Sequence, residues 1–102
     1  IQRTRMNLLS RSQATTIIRQ DALDSSRIHF TRHVRERMKE RQITDRQVVS
    51  ALRTGVVVDD GFMSIHGDPS YRVSGRGAGD NICVVVAINL EGLIIVTTFE
   101  ER

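Results

Sequence analysis

Seven consecutive apolar residues, Ile82-Cys83-Val84-Val85-Val86-Ala87-Ile88, constrain this chain more than any other feature. A run this short, rich in β-branched side chains and ending at Asn89, reads as a strand. Because it is apolar at successive positions, it has to be covered on both faces. It therefore belongs at the centre of a sheet, with helices over one side and partial cover on the other. At 102 residues the chain has material for one modest core, so everything else must pack around that strand.

The apolar period changes once, at Gly55. Before it the spacing is helical. Ala14, Ile17, Ile18 and Leu23 suit a short amphipathic helix from Ser12, with Ser12 as its cap. Arg27 to Phe30 reads as a short strand, and Thr31 caps a helix over about Arg32 to Gln42. A third helix starts at Thr44, where Gln47 completes a capping box and Ile43 and Val48 stand at the positions of a hydrophobic staple, and Gly55 ends it. After Gly55 four β-rich runs follow: Val56 to Phe62, Ser70 to Ser74, Ile82 to Ile88 and Leu93 to Phe99. They are separated by Gly67-Asp68-Pro69, by Gly75 to Asn81 and by Asn89 to Gly92. Short connections between successive strands make an antiparallel meander. The expected fold is α+β, with two to three amino-terminal helices packed on a four-stranded antiparallel sheet. Residues 1–27 are expected to form a basic lead-in with a short helix, and residues 28–102 the main unit of one globular domain.

The helix over Arg32 to Gln42 carries the functional question. At 100° per residue Val34 and Met38 fall in one arc with Phe30, and Arg37 and Arg41 fall in that same arc, with His33 at its edge. Arg32, Arg35, Glu36, Lys39 and Glu40 take the opposite side. Guanidiniums aimed at the body of a protein require anionic partners, either internal carboxylates such as Asp45, Asp59 and Asp60 or a ligand.

Formal net charge is only +3, yet Arg3, Arg5, Arg11, Arg19, Arg27, Arg32, Arg35, Arg37, Lys39, Arg41, Arg46 and Arg53 crowd the first half. Arginine in place of lysine favours bidentate recognition of phosphate or carboxylate. The single Cys83 excludes an internal disulfide and reads as a small core residue. No run of eighteen apolar residues and no amino-terminal apolar segment exists, so neither a membrane span nor a signal peptide is expected, and the expected location is cytoplasmic. Asp59, Asp60 and His66 are the nearest approach to a metal-ligand cluster and lack a ligand spacing, so neither a metal nor a cofactor is expected.

The stretches His29 to Met38, Glu40 to Thr44 with Gly55, Tyr71-Arg72-Val73-Ser74-Gly75, Val84 to Ile88, and Val96-Thr97-Thr98-Phe99-Glu100 resemble a family of small bacterial domains of unknown function, over about residues 28–101. Members of that family look like toxins paired with a small zinc-finger antitoxin. The resemblance implies the barnase, EndoU, colicin and RelE type of fold, whose members are metal-independent ribonucleases. It carries the family's helix motif onto His33, Arg37 and Arg41, its strand motif onto Tyr71, Arg72 and Gly75, and its last motif onto Thr97 and Phe99. Phe99 departs from the pattern, which has tyrosine there, so no phenol is available at that position.

Metal-free RNA cleavage needs a base, an acid and cations for the charged phosphorane. In this reading the chain is an endoribonuclease toxin acting on tRNA or mRNA and neutralised by a cognate antitoxin or immunity protein. His33 is the acid or base, Arg37 and Arg72 neutralise the phosphate, and Thr97 orients one of them. Arg41, Tyr71 and Arg76 contact the substrate. A second proton-transfer group is not selected among Tyr71, His29, His66 and Glu100. The competing reading is a non-catalytic module that uses the same basic face to bind RNA or an acidic protein. In that reading His33 only caps a loop and Arg72 is an exposed ladder residue. Because the sequence begins at Ile1 without a methionine, it is expected to be either a trimmed chain or a piece of something longer, and the second leaves room for delivery into a target cell as the end of a larger toxin.

Overall fold

The computed structural model describes residues 7–101, so Arg3 and Arg5 of the expected basic lead-in lie outside the described residues. Helix α1 spans Arg11–Asp21, and a single 3-10 turn over Ser25–Arg27 leads into strand β1, Ile28–Phe30. Helices α2, Arg32–Arg41, and α3, Asp45–Thr54, follow. The strands after them are β2 Val56–Val57, β3 Phe62–Met63, β4 Pro69–Gly77, β5 Asp80–Asn89 and β6 Gly92–Glu100.

The caps follow from local chemistry. Thr44 and Gln47 close the expected capping box, with the Gln47 N–H donating to Thr44 Oγ1 at 3.1 Å and the Thr44 N–H to Gln47 Oε1 at 2.9 Å. Thr31 caps α2 and Gly55 ends α3, both as expected. Helix α1 begins earlier than its apolar spacing suggests. Its cap is Ser10, not Ser12, because Gln13 stands three residues beyond Ser10 and completes a second capping box.

The sheet has six strands in the order β1-β6-β5-β4-β2, with β3 also pairing β4. The expectation of four antiparallel strands is corrected in two ways. First, β1 joins the sheet as an edge and runs parallel to β6 (Ile28 opposite Leu93, Phe30 opposite Ile95), since the intervening helices and strands return the chain to the same side. Second, the run from Val56 to Phe62 is two short strands. Asp59 Oδ1 accepts from the Gly61 N–H at 3.2 Å and Gly61 takes a positive φ of 80°, a turn that breaks the run so that each half pairs with a different stretch of β4. The strands β4 and β5 also extend further than expected. Most of Gly75 to Asn81 is paired, and only Ala78 and Gly79, both at positive φ, form the hairpin turn.

Strand β5 is central. Ile82, Val84, Val86 and Ile88 face the helices and join Val34, Met38, Val48, Leu52, Ile18 and Ile95 in one core. Helix α3 lies so close on β4 that a Cβ at Gly75 would stand 2.6 Å from the Ala51 carbonyl oxygen, and one at Gly77 2.6 Å from Gln47 Cα. Both obstacles are backbone and cannot swing aside. Gly75→Ala is therefore expected to destabilise the fold by about 1–3 kcal/mol through overpacking. Urea unfolding checks this, and an unchanged midpoint would contradict the close approach.

Candidate functional site

Sheet alternation gives a second face, opposite the helices. On β4 it carries Ser70, Arg72, Ser74 and Arg76, since Tyr71 and Val73 point into the core. On β5 it carries Cys83, Val85 and Ala87. On β6 a bulge intervenes, because Val86 pairs with Ile95 but Val85 pairs with Thr97, leaving Val96 as the extra residue. Beyond the bulge Thr97 and Phe99 belong to the open face. Thr98 turns into the core, fully buried, where its hydroxyl donates to the Cys83 carbonyl at 2.9 Å. Two rows result: Arg72, Val85 and Thr97, and then Ser74, Cys83 and Phe99.

Helix α2 meets this face beyond the end of β1. Arg41 Nη1 donates to the Thr98 carbonyl at 2.8 Å and lies 3.4 Å from Thr97 Oγ1, so a helix side chain closes over the edge of β6. From the far side of the same row the Arg72 guanidinium reaches over Phe99, 5.9 Å from the ring centroid. Arg41, Thr97, Arg72 and Phe99 are thereby brought together. Among the described residues neither Arg41 nor Arg72 has a carboxylate within ion-pair distance.

The other expected site residues are placed differently. His33 and Arg37 share one stripe of α2 with Arg41, at i, i+4 and i+8. His33 is exposed, whereas Arg37 is half-buried and paired with Glu40 at 2.7 Å, not with Asp45, Asp59 or Asp60. Tyr71 is fully buried on the helix side. Its hydroxyl donates to the Leu9 carbonyl at 3.2 Å and accepts from the Leu9 N–H, tying the segment before α1 to the sheet. Arg76 stands at the hairpin end and donates to the Gly79 carbonyl at 3.0 Å, beside a recess of about 400 Å³ lined by Thr54, Gly55, Val56, Ser74, Gly75, Arg76 and Asn81.

Much of the arginine-rich first half is engaged within the protein. Arg19 donates to the Gly55 and Thr54 carbonyls at the end of α3, and Arg53 donates to the Ala22 carbonyl at the end of α1, so each helix caps the other. Arg27 pairs with Asp21 and Arg11 with Asp60. Arg35, on the side read as solvent, pairs with Asp45 and lies over the Phe30 ring at 4.2 Å. Arg41 and Arg72, which form no ion pair among the described residues, lie where α2 meets the open face; Lys39, Arg46 and Arg76 form none either.

One carboxylate on that face escapes the sequence reading, which considered Glu100. Glu100 pairs opposite Ile82 on the helix side, whereas Glu101 Oε1 accepts from the Ser74 hydroxyl at 2.6 Å and the Glu101 N–H donates to the Asn81 carbonyl at 2.8 Å. The only sequence signal is that Glu101 lies two residues beyond Phe99. Cys83, between Ser74 and Phe99, is fully buried despite standing on the open face. Burial, reinforced by Glu101 and opposed by Arg72, pushes its thiol up to about 11.

Among the described residues no three His, Cys, Asp or Glu side chains are grouped to hold a metal ion, and no helix is long and apolar enough to cross a membrane. The profile of a family described as a domain of unknown function, DUF4258, matches residues 30–100. No curated protein and no solved structure matches the chain.

Cys83 supplies a pH test of this geometry. An unfolded thiol ionises near about 8.5, so in alkali the unfolded chain gives up its proton before the native one does. The stability owed to a protonated Cys83 is complete below that pH and is lost as pH rises towards about 11. The gap in urea midpoint between wild type and Cys83→Ala should stay constant at neutral pH and narrow in the alkaline range. A gap that is flat throughout would show Cys83 to be solvated.

Proposed function

We propose that this chain, which belongs to the DUF4258 family of domains of unknown function, is a metal-independent endoribonuclease of the barnase and RelE type, acting on tRNA or mRNA. Its site is the open sheet face where α2 meets β6. Arg41 and Arg72 hold the scissile phosphate, Thr97 orients Arg41, and His33 with Arg37 borders the site from the helix. A cognate antitoxin or immunity protein neutralises the domain by covering this face.

The observation that carries the reading is that Arg41, at Thr97, and Arg72, over Phe99, reach two successive outward residues of β6 on a face where neither has a carboxylate partner among the described residues. A phosphodiester supplies oxygens for more than one guanidinium. The resemblance of the helix and strand motifs to ribonuclease toxins supports the same assignment.

A non-catalytic RNA-binding module is the second reading. It is favoured by the exposure of His33 at the first turn of α2, away from the Arg41 contact at the other end of that helix. In either reading the phosphate backbone supplies most of the affinity.

Incubation with total RNA in EDTA, beside His33→Ala, separates the two. Discrete cleavage by the wild type and none by the variant is expected; intact RNA with retained binding would leave only the module. Arg72→Ala should weaken binding to single-stranded RNA and lower the slope of log affinity on log salt by about 0.7, the value of one phosphate contact. Tyr71→Phe should cost stability, about 1 kcal/mol, without changing that slope. A slope unmoved in Arg72→Ala would remove Arg72 from the interface.

A further inference from the structure

Cleavage through the 2′-hydroxyl needs a proton acceptor beside the phosphate, and the groups considered from sequence are engaged elsewhere. Tyr71 is buried and bonded to Leu9, and His29 Nε2 lies 3.0 Å from the Glu91 carbonyl. His66 lies in the turn between β3 and β4, and Glu100 lies on the helix side of β6.

Resting on the ribonuclease reading, we infer that Glu101 is the general base of the site, held for that role by Ser74. Three observations converge on it. The Glu101 backbone is fixed to β5 through Asn81, and its carboxylate is fixed to β4 through the Ser74 hydroxyl at 2.6 Å, so the group spans the strands and does not trail from the end of β6. Ser74 is two residues from Arg72 on the same face, a step of roughly 7 Å along a strand. Finally, Arg72 stands on the row next to that of Ser74, Cys83 and Phe99, and it forms no ion pair with Glu101. A carboxylate and a guanidinium held apart on one face leave room for a ribose hydroxyl on the first and its 3′-phosphate on the second. Ser74 occupies one oxygen of the carboxylate and leaves the other for the substrate.

The step balances with solvent water as the proton carrier. The proton of the 2′-hydroxyl passes to Glu101 as the 2′-oxygen bonds to phosphorus. The bond from phosphorus to the 5′-oxygen breaks, and that oxygen takes a proton from solvent water, which regains one from Glu101. The products are a 2′,3′-cyclic phosphate and a 5′-hydroxyl. Glu101 shares the open face with Arg72 and Arg76 on β4 and Cys83 on β5, and the Asp59 carboxylate accepts from the Arg72 backbone N–H at 3.1 Å.

The test is a pH profile of kcat/KM on purified transfer RNA in EDTA for the full chain, Glu101→Gln and Ser74→Ala. The wild-type profile should have an acid limb. Glu101→Gln should lower kcat by about 100-fold or more, leave KM little changed and abolish that limb. Ser74→Ala, with the carboxylate present but unanchored, should fall between the two and keep the limb. Activity of Glu101→Gln within threefold of wild type, with the limb intact, would overturn the role of Glu101 while leaving the ribonuclease reading standing. If Glu101→Gln fails to fold, an unaltered rate in Ser74→Ala overturns the inference. Intact RNA from the folded wild type removes both.

Discussion

One inserted residue, Val96, decides which side chains of β6 line the open face. Along β6, Leu93 and Ile95 point into the core, and strict alternation would send Thr97 and Phe99 after them. The bulge advances the count by one, so a threonine that can bond its buried hydroxyl to the Cys83 carbonyl turns inward, and Thr97 and Phe99 turn out. A slip of one residue exchanges every side chain of a strand between its faces. Without the bulge Arg41 would lose the Thr97 contact and Arg72 would lose the Phe99 ring.

The core that fixes this face is built by close approach. Gly75 and Gly77 let α3 rest almost on the backbone of β4, and the Arg19 and Arg53 contacts lock α1 and α3 end to end. That rigidity reaches the open side through β4, whose alternate residues are Tyr71 and Val73 beneath and Arg72 and Ser74 above. A site on paired strands is held more precisely than one on loops. Arg41 is the exception, since it enters from a helix end and depends on the edge of β6 left bare beyond β1.

The distribution of cations separates structure from function. An arginine-rich half looks, by composition, like a polyanion surface. Much of it caps helices or pairs with carboxylates, because a small domain with short helices has many orphan carbonyls to satisfy. Arg41 donates to the Thr98 carbonyl and Arg72 lies over the Phe99 ring, and neither forms an ion pair among the described residues. Which cations are paired is a property of tertiary structure.

The sequence by itself determined the α+β class, the central strand, the two capped helices before Gly55 and the opposite facing of Tyr71 and Arg72. Each is a local consequence of period, capping chemistry or turn residues. It also placed His33, Arg37 and Arg41 on one stripe, since helical geometry is fixed by spacing alone. Only the tertiary structure decided that β1 returns parallel to β6, that the run from Val56 to Phe62 is two strands, that Tyr71 is an anchor for Leu9, and that Glu101 joins the open face where Glu100 does not. Those outcomes depend on contacts between residues distant in the chain and on a bulge, and neither leaves a periodic mark in the sequence.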